Sequence, residues 1–145
     1  MGPGGCGSTT LLRHVSKYFN CNDPADKDGL KHLPAPPPHE LAEKIIYVGG
    51  EVNDMKESLR RRGWILRQVL KLRPYPSMWK LGGSFNFEFL VQLQRGKFSE
   101  LRGTPVLFVH YNDLFESAQT ISDFLGHKDG FVSSFPKRQE RKSIK

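Results

Sequence analysis

The chain has 145 residues, of which 37% are hydrophobic and 26% charged, so it is long enough for one folded domain and is not a disordered polymer. Its formal charge of +7 favours an anionic partner, and its two cysteines are too few for a disulfide framework. No apolar run reaches the roughly 18 residues that cross a bilayer, and the opening lacks the parts of a signal peptide, so we predict a cytoplasmic protein with reduced thiols.

The opening stretch MGPGGCGSTT leads directly into a predicted helix over residues 8–19, with Ser8 or Thr9 as its N-cap. A glycine-rich turn at a helix N-terminus presents backbone N–H groups and the positive end of the helix dipole, which together bind phosphate or sulfate. A helix cap without a ligand is the alternative interpretation. Because no Gly-Lys precedes Ser8, an ordinary ATP-binding loop is not expected.

An irregular connection is predicted over residues 20–43, which hold five of the ten prolines. The run KIIYV at residues 44–48 then predicts a buried parallel strand that ends at Gly49 and Gly50. Long ordered connections such as residues 20–43 often carry functional residues.

A helix is predicted from a cap at Asn53 or Asp54 as far as Leu70, although Gly63 weakens it. The prolines that follow, Pro74 and Pro76, end it. Residues 85–93 (FNFEFLVQL) predict another helix, with a strand as the alternative because apolar and polar residues alternate at first.

The second predicted strand is residues 105–111 (PVLFVHY), followed by a helix over residues 114–125 that Gly126 stops. Strands separated by helices predict an α/β fold, with a parallel sheet flanked by helices. We expect one domain over residues 1–135 and a basic tail over residues 136–145.

Four segments in this order resemble the sulfotransferases, especially the cytosolic branch. They are the opening GGCGST, the stretch KHLP, the strand KIIYV with the helix after it, and the block VLFVHYNDL with its later FLG. The resemblance implies a P-loop NTPase-like sulfotransferase fold, here in truncated form, since the strand that precedes the opening loop in that family is missing. It also implies 3′-phosphoadenosine 5′-phosphosulfate (PAPS) as the cofactor.

The family's Pro-Lys-Ser-Gly-Thr-Thr loop wraps the 5′-phosphosulfate of PAPS, and the opening of this chain matches it. The residues that would bind the cofactor there are Gly5, Cys6, Gly7, Ser8, Thr9 and Thr10. Gly5 stands where the family has its lysine, which removes a positive charge that would stabilise the leaving phosphate.

The other implied site residues are His32, Lys31 and Ser58. His32 matches the family's catalytic base, because a near-neutral imidazole can accept the proton of the acceptor hydroxyl. Lys31 is the second catalytic candidate, as a source of the missing positive charge. Ser58 matches the serine that holds the 3′-phosphate, whereas Gly50 replaces the accompanying arginine.

We therefore predict transfer of a sulfuryl group from PAPS to the hydroxyl or amine of a small molecule or glycan, without a metal. Two alternatives stay open: an inactive relative that binds nucleotides or proteins, and a nucleic-acid-binding module that uses residues 60–62 and the basic tail. No helix-turn-helix, zinc-finger or RNA-sheet signature supports the nucleic-acid alternative. We expect no membrane span, and the oligomeric state stays open with a homodimer as one alternative.

Overall fold

The computed structural model describes residues 1–73 and 86–138. A parallel pair of strands lies at its centre: β1 (Ile45–Gly49) and β2 (Val106–His110). Ile45 is paired with Val106 and Gly49 with His110 at the two ends of the register. The predicted parallel pairing is confirmed, with bounds that differ from the predicted ones by a residue or so at each end.

The far edge of β1 is bonded to the first residue of the chain. The amino group of Met1 donates to Ile46 O at 2.6 Å, and the N–H of Val48 donates to Met1 O at 2.9 Å. Met1 is thus bonded to the residues before and after Tyr47, which is the hydrogen-bond pattern of two parallel strands. Met1 therefore lies where a strand leading into the opening loop would lie.

The first helix, α1 (Ser8–Val15), is shorter than the predicted 8–19. Residues 16–19 form turns, in which the N–H of Phe19 still donates to Val15 O at 2.9 Å. The N-cap position is taken by Gly7, and no side chain caps the helix, so the prediction of Ser8 or Thr9 as the cap was wrong. The long connection that follows is irregular as predicted, apart from a 3-10 turn at His39–Leu41.

The single helix predicted as far as Leu70 is two helices, α2 (Val52–Arg61) and α3 (Ile65–Leu72). Gly63 separates them with a φ of +66°, a left-handed conformation that ends a helix and favours glycine. Gly63 therefore ends one helix, whereas the sequence predicted only a weakened continuous helix. The start of α2 is also earlier than predicted, since Glu51 precedes its first residue.

The helix predicted over residues 85–93 is confirmed as α4 (Phe87–Ser99), and the strand alternative was wrong. The side chain of Asn86 caps it by accepting from the N–H groups of Glu88 at 3.1 Å and Phe89 at 3.3 Å. The predictions that concern Pro74, Pro76 and Phe85 lie outside the described residues.

The last predicted helix, over residues 114–125, is divided between a 3-10 helix at Tyr111–Glu116 and α5 (Ala118–Leu125). The predicted stop at Gly126 is confirmed, because this residue caps α5 with a φ of +105°. Residues 136–138 of the predicted tail have no regular structure, and the rest of the tail lies outside the described residues.

Both faces of the small sheet are covered. Ile45 and Tyr47 pack on one face with Phe98 of α4, while Val48 joins the larger core on the other face. That larger core takes residues from every helix, among them Leu11, Leu59, Leu72, Leu90 and Ile121. The molecule is thus a small mixed α/β domain with two parallel strands flanked by helices. None of its described helices is long and apolar enough to cross a bilayer.

Candidate functional site

The opening loop, defined here as residues 2–9, runs from Met1 at the edge of β1 into the first turn of α1. Gly5 and Gly7 have φ values of +87° and +76°, so the backbone reverses twice over three residues. The buried Sγ of Cys6 lies 2.8 Å from Pro3 O and 3.1 Å from Val48 O, so its single S–H is placed between two acceptors. Burial raises the pKa of the Cys6 thiol. Cys6 thus fastens the loop to β1 as a neutral group.

The loop presents unbonded donors at the start of α1. Within residues 1–73 and 86–138, no hydrogen-bond acceptor is paired with the backbone N–H groups of Gly5, Gly7 and Thr9. The N–H of Thr10, by contrast, donates to Gly7 O at 3.1 Å, so Thr10 is tied within the turn. Free N–H groups at a helix N-terminus are the donors that proteins use for phosphate and sulfate.

Lys31 brings a buried positive charge to this loop. Only 6% of the residue is exposed, and its Nζ donates to the hydroxyl of Thr9 and, at 3.0 Å, to Pro24 O. No carboxylate of the described residues forms an ion pair with that ammonium group. Burial lowers the pKa of Lys31, and the nearby charge of Asp26 acts to raise it. An ammonium group has three donors. A buried cation with two neutral partners leaves one donor and its charge available to an anion.

His32 lies beside the same loop. Its Nδ1 is 2.8 Å from Gly2 O. A carbonyl oxygen only accepts, so Nδ1 carries the proton and Nε2 is the ring's acceptor. Burial lowers the pKa of His32 to about 4. The imidazole is therefore neutral near pH 7, with the tautomer that a general base needs but with a weaker basicity than free histidine.

Asp26 and Lys71 hold the Lys31 segment in place, and sequence reasoning missed both. One carboxylate oxygen of Asp26 accepts from Lys31 N at 3.0 Å, and the other accepts from Lys71 Nζ on α3. Burial works to raise the pKa of Asp26, but these hydrogen bonds and charges lower it overall. The only sequence signal was the turn-rich stretch DPADKDG, which does not reveal a partner 45 residues away.

Gln68 of α3 packs against the back of the loop. A Cβ on Gly4 would lie 2.3 Å from the Gln68 Cδ atom, so the amide fills the space of a side chain at position 4. Its Oε1 is buried and has no hydrogen-bond partner among the described residues. The sequence carried no signal for it, because one glutamine in a helical stretch is ordinarily exposed.

Two close approaches explain why glycine occupies positions 5 and 7. A Cβ on Gly7 would lie 2.4 Å from Cε2 of the Tyr111 ring, which covers that side of the loop. A Cβ on Gly5 would lie 2.9 Å from Met55 O of α2. The site therefore has no room for the family's lysine at position 5 unless α2 shifts.

Ser58 lies on α2 and is held by a neighbour instead of by the loop. Its hydroxyl accepts from a guanidinium nitrogen of Arg62 at 2.5 Å. The other two arginines of the triplet, Arg60 and Arg61, pair with Glu57 at 3.7 and 3.3 Å on the exposed side of the helix. No described hydrogen bond joins Ser58 to the loop, so the structure assembles the loop, Lys31 and His32 but not Ser58.

The arrangement offers unbonded N–H donors, a buried ammonium group and a neutral imidazole within one small region. Such a group of residues can bind a tetrahedral anion and accept a proton next to it. No cluster of histidine, cysteine, aspartate and glutamate suited to a metal occurs in the described part of the chain. Comparisons of the chain with protein-family models, with curated proteins and with solved structures found no match.

Proposed function

We propose that the protein binds the phosphosulfate end of PAPS at the opening loop and transfers the sulfuryl group to an acceptor hydroxyl or amine. The observation that carries this proposal is that residues 31 and 32 both bond to the opening segment. Lys31 donates to Thr9, and His32 bonds to Gly2. The acceptor is a small molecule or a glycan, as the family resemblance implies.

Binding of the anion rests on three kinds of donor. The free N–H groups of Gly5, Gly7 and Thr9 belong to the loop and the first turn of α1, where the helix dipole favours negative charge. The ammonium group of Lys31 adds a positive charge beside Thr9, to whose hydroxyl it donates, in place of the lysine that the family has at the position of Gly5. Since burial penalises the unpaired ammonium, an anion beside it also relieves that penalty.

The reaction needs a proton acceptor near the bond that forms. PAPS, when bound, supplies a sulfuryl group attached to a phosphate leaving group. His32 accepts the proton of the attacking hydroxyl at Nε2, while Nδ1 stays bonded to Gly2 O and fixes the ring. Lys31 and the loop N–H groups stabilise the negative charge that grows on the departing phosphate. Positioning and charge stabilisation do most of the catalysis.

A second candidate is a protein that binds the same nucleotide without transferring sulfate. The pKa of His32, lowered to about 4, favours it, because so weak a base abstracts a hydroxyl proton less readily. Gly50 stands where the family has the arginine that contacts the 3′-phosphate of the nucleotide. We expect this replacement to weaken nucleotide binding whichever candidate is correct. The two candidates share the anion site and differ only in turnover.

Calorimetric titration with 3′-phosphoadenosine 5′-phosphate tests the binding step. We expect micromolar affinity that falls about tenfold or more in Lys31→Met, since removing a charge-assisted contact is worth a factor of that size. Lys27→Met is the matched control, because it removes the same charge from an exposed residue of the same turn. Absence of binding to the unaltered protein, or equal losses in both variants, contradicts the proposal.

Transfer of radiolabelled sulfate from PAPS to a panel of alcohols, phenols, amines and glycans tests the chemistry. We expect turnover that is lost in His32→Asn, a variant whose amide can still donate to Gly2 O. Nucleotide binding without turnover by the unaltered protein supports the second candidate. Turnover that His32→Asn leaves unchanged removes His32 from the mechanism.

A further inference from the structure

Helix α3 is apolar on two faces. Val69 and Leu72 are buried in the core, as expected for the inner face of an amphipathic helix. On the outer face, however, Leu66 is 60% exposed and Leu70 is 52% exposed. Trp64, just before the helix, is 44% exposed. Half of the six large hydrophobic side chains that are exposed in the described chain thus lie within seven residues.

This outer face is also strongly basic. Residues 60–73 contain six lysines and arginines and no acidic residue. Arg67 and Lys71 line a shallow surface depression of about 520 Å³ together with Leu66 and Leu70. The guanidinium group of Arg62 lies 5.3 Å from the centre of the Trp64 ring. Cations and exposed apolar groups therefore alternate along residues 62–70 on both sides of Gly63, and we call this set, Arg62, Trp64, Leu66, Arg67 and Leu70, the basic apolar face.

We propose that the basic apolar face binds the surface of an anionic lipid bilayer. Helices that lie in the headgroup region combine leucine and tryptophan on the buried side with lysine and arginine around it. In this arrangement Leu66, Leu70 and Trp64 enter the boundary between headgroups and acyl chains. Arg62 and Arg67 meet the lipid phosphates and the negative headgroups, to which each basic residue near the surface adds attraction.

The charge of this face decides among the partners that would cover it. A second copy of the chain placed on the same face brings Arg62 and Arg67 against the same two arginines, and like charges in apposition are repulsive. RNA satisfies the cations but not two exposed leucines, because nucleic-acid surfaces use aromatic stacking and positive charge. An anionic bilayer satisfies both the charges and the apolar groups.

Sedimentation with vesicles tests the proposal on the full chain. We expect binding to vesicles of phosphatidylcholine with about one-third phosphatidylserine, little binding to phosphatidylcholine alone, and weakening as salt is raised. Replacing both leucines (Leu66→Ser with Leu70→Ser) is expected to reduce the partition about fiftyfold. Arg67→Gln is expected to reduce it about fivefold.

Two controls separate this face from general properties of the chain. Leu41→Ser removes another exposed leucine, 63% accessible, from the 3-10 turn at His39–Leu41. Arg102→Gln removes an exposed charge from the turn before β2. Both are expected to bind vesicles like the unaltered protein, and circular dichroism verifies that all variants are folded.

Three results overturn the proposal. The first is equal binding to neutral and anionic vesicles, or none to either. The second is a loss in the control variants as large as that in the paired leucine variant. The third is the absence of vesicle binding together with another interaction of the same face. That interaction would be binding to poly(U) RNA, or dimerisation that depends on concentration, and the paired leucine variant would abolish it.

Discussion

His32 makes the stability of the protein depend on pH in a window that the structure defines. Burial lowers its pKa to about 4 in the folded state, against an ordinary value of 6.5. Between these values the unfolded chain holds the proton and the folded protein does not. The contribution of His32 to stability is therefore complete above about pH 6.5 and is lost progressively as the pH falls to about 4. A shift of this size corresponds to about 3 kcal/mol.

Urea unfolding followed by circular dichroism, at intervals from pH 7 to pH 4, measures this effect. In His32→Asn the amide keeps a donor for Gly2 O but does not titrate. The difference in unfolding free energy between the two proteins should fall by about 3 kcal/mol from pH 7 to pH 4, because titration of all other groups cancels. His39→Asn is the control, since the His39 side chain is exposed. Parallel pH profiles for the unaltered protein and His32→Asn would refute the reasoning.

Three other predictions concern stability and the loop. Gly7→Ala should destabilise the fold by about 1–3 kcal/mol more than Gly63→Ala, because both glycines have positive φ but only Gly7 faces a ring, that of Tyr111; equal unfolding free energies would contradict this contact. Asn86→Ala should reduce stability by about 1 kcal/mol through loss of the α4 cap, whereas Asn86→Gly should lose only a few tenths; urea midpoints distinguish them. Gln68→Met should unfold at the same or a higher urea concentration, because it removes a buried oxygen without a partner; a clear loss of stability would mean that this amide is bonded in solution.

Local patterns predicted much of the fold. The segments KIIYV and PVLFVHY are rich in β-branched residues, as buried parallel strands are. They form β1 and β2, respectively, and pair in the predicted parallel direction. The helix over Phe87–Ser99 followed from its apolar spacing. The predictions failed where one backbone angle decided the outcome. Gly63 was expected to weaken a helix, whereas its left-handed φ of +66° ends one.

The candidate site was predicted only in part. The loop and His32 were chosen by resemblance, and the structure brings them to within a hydrogen bond of each other. The position of Lys31 on Thr9 depends on Asp26, whose own position depends on Lys71. Two of these contacts join residues 22 and 45 positions apart and follow no local period, so sequence patterns do not predict them. Sequence reasoning also placed Ser58 at the site, and no described contact joins it there.

Helix α3 has a mechanical consequence. The helix places Gln68 behind the opening loop and Lys71 in an ion pair with Asp26. Its outward side chains include Leu66 and Leu70, one turn apart on the same rigid rod. A force applied to the outer face therefore reaches Lys31 through two links in series, the ion pair between Lys71 and Asp26 and the hydrogen bond from the Lys31 N–H to Asp26. The helix begins just after the break at Gly63, so its leading end is not held by a continuous helix.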